Sequence, residues 1–277
     1  MWDPAVYLRY GDERSRPFVD LVSRVGAESP RAVVDLGCGP GTLTETLTNR
    51  WPGTRITGLD SSVEMIERAT ARGGGVSYAV ADVRDWAPGS DVDVVVCNAV
   101  LQWVPGHERL LTRWAAQLPP GAWLAVQVPG NFDAPSHRAL RAAAAEPAYA
   151  GRLAAATEAR GVPEPQAYAR LLTRAGCAAD AWETTYVHLL PAGDGDEHPV
   201  LRWMEGTALR PVQAVLGDGA DWTAFRRDLA ARLAEAYPAE DGVVYFPFRR
   251  IFAVARTAVA RTGAARTGAA GRQEEAP

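Results

Sequence analysis

The residues of this chain that can do chemistry fall into two sets. The first is a glycine turn. Gly37, Gly39 and Gly41 stand in "VVDLGCGPGTLTETL", directly after an apolar run and directly before a stretch that reads as helix. Glycine lets a backbone turn sharply and approach a ligand, and a helix start presents unpaired N–H donors. Asp60 follows 23 residues after Gly37, at the end of a second apolar run, "RITGLD". A carboxylate so placed can accept from the two hydroxyls of a ribose. This set predicts a ligand that carries a nucleoside. The second set is arginine: Arg9, Arg14 and Arg16 ahead of the turn, Arg210 in "GTALRPV", and Arg249-Arg250 in "FPFRRIF". A guanidinium holds carboxylates through paired hydrogen bonds, so these positions suit a small polyanion.

The glycine turn narrows further by what it lacks. A dinucleotide fingerprint places a third small residue at position 42, where helix and strand must pack closely, and the chain has Thr42 there. Pro40 inside the turn is also unusual for a pyrophosphate loop. An oxidoreductase using a nicotinamide dinucleotide is therefore the weaker reading. A phosphate-binding loop of the Walker type is excluded, because the chain contains no lysine at all. Asp82-Val83 and Asn98 end two further apolar runs and fall on the same predicted rim as Asp60. Metal chemistry finds no support: His107, His137, His188 and His198 show no i, i+4 pairing, and Cys38, Cys97 and Cys177 are widely spaced.

The elements that must position these residues alternate. A helix over residues 12–25 precedes a strand at "RAVVDLGCG" and a helix from about Gly41 to Arg50. "RITGLD" is the second strand; Ser61-Ser62-Val63-Glu64 then reads as a capping box for the helix carrying Met65. "VSYAVADV", "DVDVVVCNAV" and "GAWLAVQVP" are strands three to five, with a helix at "HERLLTRWAAQL" before the last. Strand and helix alternating at this pace predict an α/β fold: a doubly wound, mostly parallel sheet buried on both faces. After Pro129 come Ala-rich helices broken by Pro147, Pro163 and Pro165, a strand at "DAWETTYVHLL", and two helical segments, "HPVLRWMEGTALRPVQAVL" and "DWTAFRRDLAARLAEAY". A closing strand at "GVVYFPFRRIFAVART" contains Pro247, which suits an edge or a bulge. The two late strands complete the same sheet, giving seven, and the late helices form a cap. The organisation expected is a lid helix over 1–30, a ligand-binding core over 31–130, a cap with closing strands over 131–257, and a repetitive tail over 258–277.

Bulk properties set the limits on partners. The chain has 277 residues and a net charge of −4, with no basic stripe, which argues against nucleic acid and anionic membrane. No apolar run approaches a membrane span, and the opening Met1-Trp2-Asp3-Pro4 lacks a signal-peptide pattern. Three wide-spaced cysteines in apolar contexts read as reduced thiols, so a cytoplasmic protein, monomeric or weakly self-associating, is expected.

"DLGCGPG", "GLDSS", "ADVRDW" and "CNAVLQWVP", in this order, resemble the Rossmann-like S-adenosylmethionine-dependent methyltransferases. That resemblance implies S-adenosylmethionine as the cofactor. Asp35, Gly37, Cys38, Gly39 and Gly41 would lie along its methionine part, with Asn98 nearby. Asp60 and Ser61 would meet the ribose, Met65 the adenine face, and Asp82 with Val83 the adenine edge. A longer set, "MWDPAVYLRY", "LQWVPGHERLL", "VPGN…PSH", "WETTYVH", "GTALRPV" and "FPFRRIF", is similar to the aconitate-methylating branch of that family and extends into the cap. It implies transfer of a methyl group to a carboxylate of a small tricarboxylic acid. Tyr7, Arg14, Gln102, Trp103, Asn131, Tyr186, His188, Arg210 and Arg249 are then the expected acceptor-binding residues, with Arg210 and Arg249 as carboxylate clamps. No catalytic base is expected, because an ionised carboxylate is already a nucleophile. The nearest alternative keeps the enzyme class and changes the acceptor to another small carboxylic acid or a biosynthetic intermediate. A non-catalytic binder of the same cofactor is a further one, but it would have no use for a cap rich in aromatic residues and arginine.

Overall fold

The central strands form because each is a short run rich in Val, Leu and Ala that buries both faces at once. β1 (Ala32–Leu36) is buried at every position, and β4 (Val92–Asn98) and β5 (Trp123–Pro129) nearly so. The computed structural model describes residues 11–158, 161–192 and 197–259, with the side chains of residues 11–14 outside that description. Seven strands make one sheet in the order β3-β2-β1-β4-β5-β7-β6, where β2 is Arg55–Asp60, β3 Val76–Val80, β6 Ala178–Pro191 and β7 Val243–Arg256. The first five run parallel. β7 is antiparallel to both β5 and β6. The doubly wound, mostly parallel seven-stranded sheet expected from the sequence is the fold.

Helix α1 (Gly11–Ser23) covers one face through Phe18, Leu21 and Val22, together with Leu47 and Trp51. The other face is covered by α4 (Glu108–Gln117) and α7 (Pro165–Arg174), whose Leu111, Trp114, Tyr168 and Leu172 pack on Val95, Cys97 and Leu124. Each such fully buried side chain contributes about 1.5–3 kcal/mol. The three cysteines are free and buried.

Several local expectations change on contact with the structure. The helix predicted from Gly41 to Arg50 is a 3₁₀ turn at Thr44–Thr46 followed by a single α turn, α2 (Leu47–Arg50). Threonine hydroxyls explain this by bonding the local backbone: Thr46 Oγ1 donates to Leu43 O and Thr48 Oγ1 to Glu45 O, both at 2.6 Å. In α3 (Val63–Arg72) the cap is Ser62, whose Oγ accepts from Met65 N at 3.3 Å. That displaces the predicted Ser61–Glu64 box by one residue. The segment at "HPVLRWMEGTALRPVQAVL" divides at Gly206 into α8 (Pro199–Glu205) and α9 (Arg210–Leu216). β7 lies between two strands, yet Pro247 does not interrupt a doubly paired stretch. β5 accompanies β7 only from Arg250 onward, so beside Pro247 there is only β6. The proline occupies a local edge.

That overhang carries the cap. The β6–β7 ribbon outruns the parallel sheet, and on its free half Leu190, Val244, Phe246 and Phe248 receive α5 (Pro135–Ala144), α6 (Ala150–Leu153), α8, α9 and α10 (Ala220–Ala236). Trp222, Phe225, Leu229 and Leu233 of α10 recur every three or four residues and are all buried. Of the expected divisions, residues 1–10 and 260–277 lie outside the described residues.

Candidate functional site

The glycine turn is held in its bend by the neighbouring strand. Gly37 N and Cys38 N both donate to Leu59 O, at 2.6 and 3.0 Å. Gly37, Gly39 and Gly41 have φ of +76°, +54° and +77°, which side-chain-bearing residues rarely adopt. A Cβ on Gly37 would collide with Val100, and one on Gly41 with Tyr78. A Cβ on Gly39 would meet nothing within 4 Å. The turn is therefore closed against the protein at two glycines and open at the middle one.

The opening is a cavity of about 630 Å³ at the carboxyl ends of β1, β2 and β4. Asp35, Gly37, Cys38, Gly39, Asp60, Ser61, Met65, Asp82, Val83 and Asn98 all line it; Gly41 does not, and shapes the turn from behind. Asp60 is fixed from two sides: Oδ2 accepts from Gly39 N and Oδ1 from Ser62 N, both at 2.9 Å. Asp35 is buried, and Thr44 Oγ1 donates to its Oδ2 at 2.6 Å. Burial pushes its carboxyl up to about 7, against the help of Thr44 and with the charge of Asp60 adding to the rise. Asp82 goes the other way. The Arg84 side chain and backbone amide both donate to it and hold it down to about 2.

A second cavity, about 430 Å³, lies between the sheet end and the cap. It meets the first at Asn98, Ala99 and Trp103, which line both. Ala99 is one of only two non-glycine residues with positive φ among the described residues, at +57°. Its N–H donates to Gln127 O at 2.9 Å, and Gln102 Nε2 donates to its carbonyl at 2.7 Å. Asn98 Oδ1 and Gln102 Oε1 are buried with no hydrogen-bond partner. Backbone strain and unsatisfied polar atoms at one point mark a place built for a ligand.

The polar side of the second cavity carries Asn131, His137, Arg141, Arg210 and Arg250. Burial pushes the His137 imidazole down to about 4, and the Arg141 guanidinium adds to that, so it is neutral at physiological pH. Arg141 also ties the loop after β5, donating to Phe132 O at 2.9 Å. The apolar lining includes Trp203, Met204, Phe246 and Phe248.

The expected acceptor residues separate here. Gln102, Trp103, Asn131 and Arg210 line the second cavity. Tyr186, His188 and Arg249 do not. Tyr186 Oη donates to Asp20 Oδ2 at 2.6 Å and anchors α1, while His188 stacks beneath Trp203 at 4.6 Å. Arg249 is on the opposite face of β7 from Arg250, since side chains alternate along a strand. Its Nε donates to Glu183 at 2.9 Å and its Nη1 to Glu164 at 3.2 Å. Arg250 occupies the place expected for Arg249, and the doublet could not say which of the two turned inward. Tyr7 lies outside the described residues, as does the Arg14 side chain. Arg141, His137 and the aromatic wall were missed; an Arg four residues after a His on one helix face was the available signal.

The first cavity fits S-adenosylmethionine on its own geometry. It offers an oriented carboxylate at the end of β2, a glycine that leaves room for a ligand, and a buried Asn98 oxygen in need of a donor. Comparison with known proteins agrees. A sequence model of the methyltransferase-domain family matches residues 9–181. A trans-aconitate 2-methyltransferase of Mycolicibacterium gilvum (strain PYR-GCK) is 58% identical over 259 residues, covering 92% of this chain and 99% of that one. Another, of Mycobacterium tuberculosis (strain ATCC 25177 / H37Ra), is 52% identical over 258 residues, covering 92% and 96%. The crystal structure of a candidate methyltransferase from Bacillus halodurans C-125 superposes with a TM-score of 0.56 at 14% identity, over 88% of this chain and 100% of that one. At that identity the likeness speaks for the fold alone.

Proposed function

The chain belongs to the methyltransferase family, among relatives named trans-aconitate 2-methyltransferases, and on that premise we propose that it esterifies one carboxylate of trans-aconitate. S-adenosylmethionine supplies an electrophilic methyl group on a sulfonium, which the carboxylate oxygen takes by in-line displacement as the C–S electron pair returns to sulfur. The products are a monomethyl ester and S-adenosylhomocysteine. The observation that carries this reading is the junction at Asn98, Ala99 and Trp103, where a nucleoside-type cradle opens onto an arginine-lined cavity.

Each part of the site has a task in this chemistry. Asp60, already oriented by two backbone amides, accepts from the ribose hydroxyls. Met65 would pack against the adenine, and Asp82 with the Val83 amide would hold its edge. On the acceptor side, Arg210 and Arg250 hold carboxylates that do not react, with Asn131 as a further donor. The reacting carboxylate is ionised at neutral pH, so no residue has to remove a proton. The protein contributes alignment and exclusion of water, which strengthens the arginine contacts. Trp103 walls the junction, where its ring face favours a cation. The acidic overall charge supports a small-molecule acceptor rather than nucleic acid, and among the described residues no helix is long and apolar enough to cross a membrane.

The test is turnover of trans-aconitate, cis-aconitate, citrate and isocitrate with S-adenosylmethionine, followed by mass spectrometry of the esters. A monomethyl ester formed fastest from trans-aconitate is expected. Cofactor binding without ester from any of the four would remove the proposed acceptor and leave the family assignment standing.

A further inference from the structure

The acceptor cavity is larger and more apolar than a tricarboxylic acid needs. Trans-aconitic acid has twelve non-hydrogen atoms, every one in a carboxyl group or in the short chain that joins them. A cavity of about 430 Å³ falls in the range that encloses drug-sized ligands, roughly 300–1,000 Å³. Part of the lining takes the charge, through Arg141, Arg210 and Arg250. Beside these arginines lies a floor of rings. Trp203, Phe246 and Phe248 pack on one another with centroids 5.7–5.8 Å apart, and His188 supports Trp203 from below. Phe246 and Phe248 offer a small acid no hydrogen bond, and the one polar group among the floor rings is the Trp203 indole N–H.

The charged and the aromatic groups meet on one face of β7. The Arg250 guanidinium carbon lies 4.5 Å from the Phe248 ring centroid. A carboxylate paired with Arg250 therefore leaves its α-carbon at the margin of the aromatic floor, and a substituent on that carbon continues across Phe248 and Trp203. Ala208, in the turn between α8 and α9, lines the far side of the same space. Water fills such a space poorly, because it needs two to four polar partners and the rings supply one donor at most.

We propose that the apolar half of this cavity is a subsite for an arylmethyl arm, so that the enzyme also methylates dicarboxylic acids of the 2-benzylsuccinate type. This deepens the proposed function and rests on it. The step is the same: the carboxylate oxygen forms the new O–CH₃ bond, the C–S bond breaks with its electron pair going to sulfur, and no proton is gained or lost.

The experiment measures kcat/KM for succinate, methylsuccinate, isobutylsuccinate and 2-benzylsuccinate beside trans-aconitate, with S-adenosylmethionine saturating. The expected series rises with the arm, and 2-benzylsuccinate exceeds succinate on the order of 30-fold, as burial of a phenyl group implies. Ala208→Phe, which puts a ring into the subsite from the cap side, reduces the 2-benzylsuccinate value at least tenfold relative to that of trans-aconitate. A flat series, with trans-aconitate turned over normally, overturns the subsite and spares the proposed function. Equal losses for both acids in Ala208→Phe also overturn it, since the arm then has no space of its own. If trans-aconitate itself is not methylated but the arylmethyl acids are, the proposed acceptor falls while the subsite stands.

Discussion

The two cavities are built by different means. The cofactor side is made mostly of the ends of parallel strands and the few residues that follow, within 35–43 at β1, 60–65 at β2, 81–84 at β3 and 98–105 at β4, with Ser15 and Phe18 of α1 beside them. Each segment is short and contiguous, and its backbone conformation is part of the binding surface. The acceptor side draws on the loop after β5, helix α5, the α8–α9 turn and the free half of β7. It depends on which way side chains point and on how the cap sits. A backbone-built site should fail abruptly when one residue is changed, whereas a side-chain-built site should fail by parts.

The largest expected effect is at Gly37. With φ at +76° and Val100 against the position a Cβ would take, Gly37→Ala must move the turn or the strand-four loop. A loss of cofactor affinity of at least 100-fold is expected, together with destabilisation on the order of 3 kcal/mol. Calorimetric titration with S-adenosylhomocysteine and thermal melts measure both. Gly39→Ala strains the same turn without any collision, so its stability cost is smaller. Equal costs at the two glycines would mean that strain alone, not the closed approach to Val100, governs the turn.

On the acceptor side the loss should divide. Arg210→Ala and Arg250→Ala each raise KM for trans-aconitate about 100-fold, as loss of one charge-assisted contact implies, with cofactor affinity unchanged. Arg249→Ala, by contrast, changes KM by less than threefold. Its ion pairs with Glu164 and Glu183 are partly exposed and contribute no more than about 1 kcal/mol. A large KM effect at Arg249 would put it back among the acceptor residues.

The same division explains what the sequence could show. "DLGCGPG" and "GLDSS" are legible because a left-handed turn demands glycine and an N-terminal cap demands serine, so residue type reports geometry directly. Arg249-Arg250 is not legible in that way. Both residues are arginine, and only strand register decides which faces the cavity. Tyr186 and His188 share a face of β6, as two residues two apart must, yet α1 and Trp203 cover that face before any ligand can. The single helix predicted at Gly41–Arg50 failed for a related reason: threonine hydroxyls took the backbone carbonyls locally, and no apolar spacing announces that.

Asp35 tests the cofactor side through pH. Its native carboxyl keeps its proton up to about 7, while in the unfolded chain it ionises near the ordinary value of 3.8. A raised acid contributes stability that is full below the unfolded value and is lost as pH rises through the native one. Asp35→Asn removes that titration and can still accept from Thr44. The variant should gain up to about 4 kcal/mol over the parent at pH 8 and nothing near pH 3.5, and should bind the cofactor more weakly. Chemical denaturation at the two pH values decides it. A gain that is the same at both would mean that Asp35 carries no proton in the native protein.

The smallest effect lies at the junction, where the two modes of construction meet in one residue. Ala99 holds φ at +57°, a conformation that costs a side-chain-bearing residue roughly 1–2 kcal/mol. Two bonds keep it there: Ala99 N to Gln127 O, and Gln102 Nε2 to Ala99 O. The second spends one of the two Gln102 amide hydrogens on the Ala99 carbonyl, so Gln102 holds the backbone at the junction. Gln102→Leu should therefore cost about 1 kcal/mol of stability, one net hydrogen bond, and lower kcat more than it changes KM. Ala99→Gly in the parent should change stability by less than about 0.5 kcal/mol, since relief of strain is offset by glycine's greater freedom when unfolded. In the Gln102→Leu background the same substitution should recover most of the loss. A double-mutant cycle in melts measures that coupling. If the two substitutions are additive, the side chain does not hold the turn, and Ala99 is kept in place by the sheet alone.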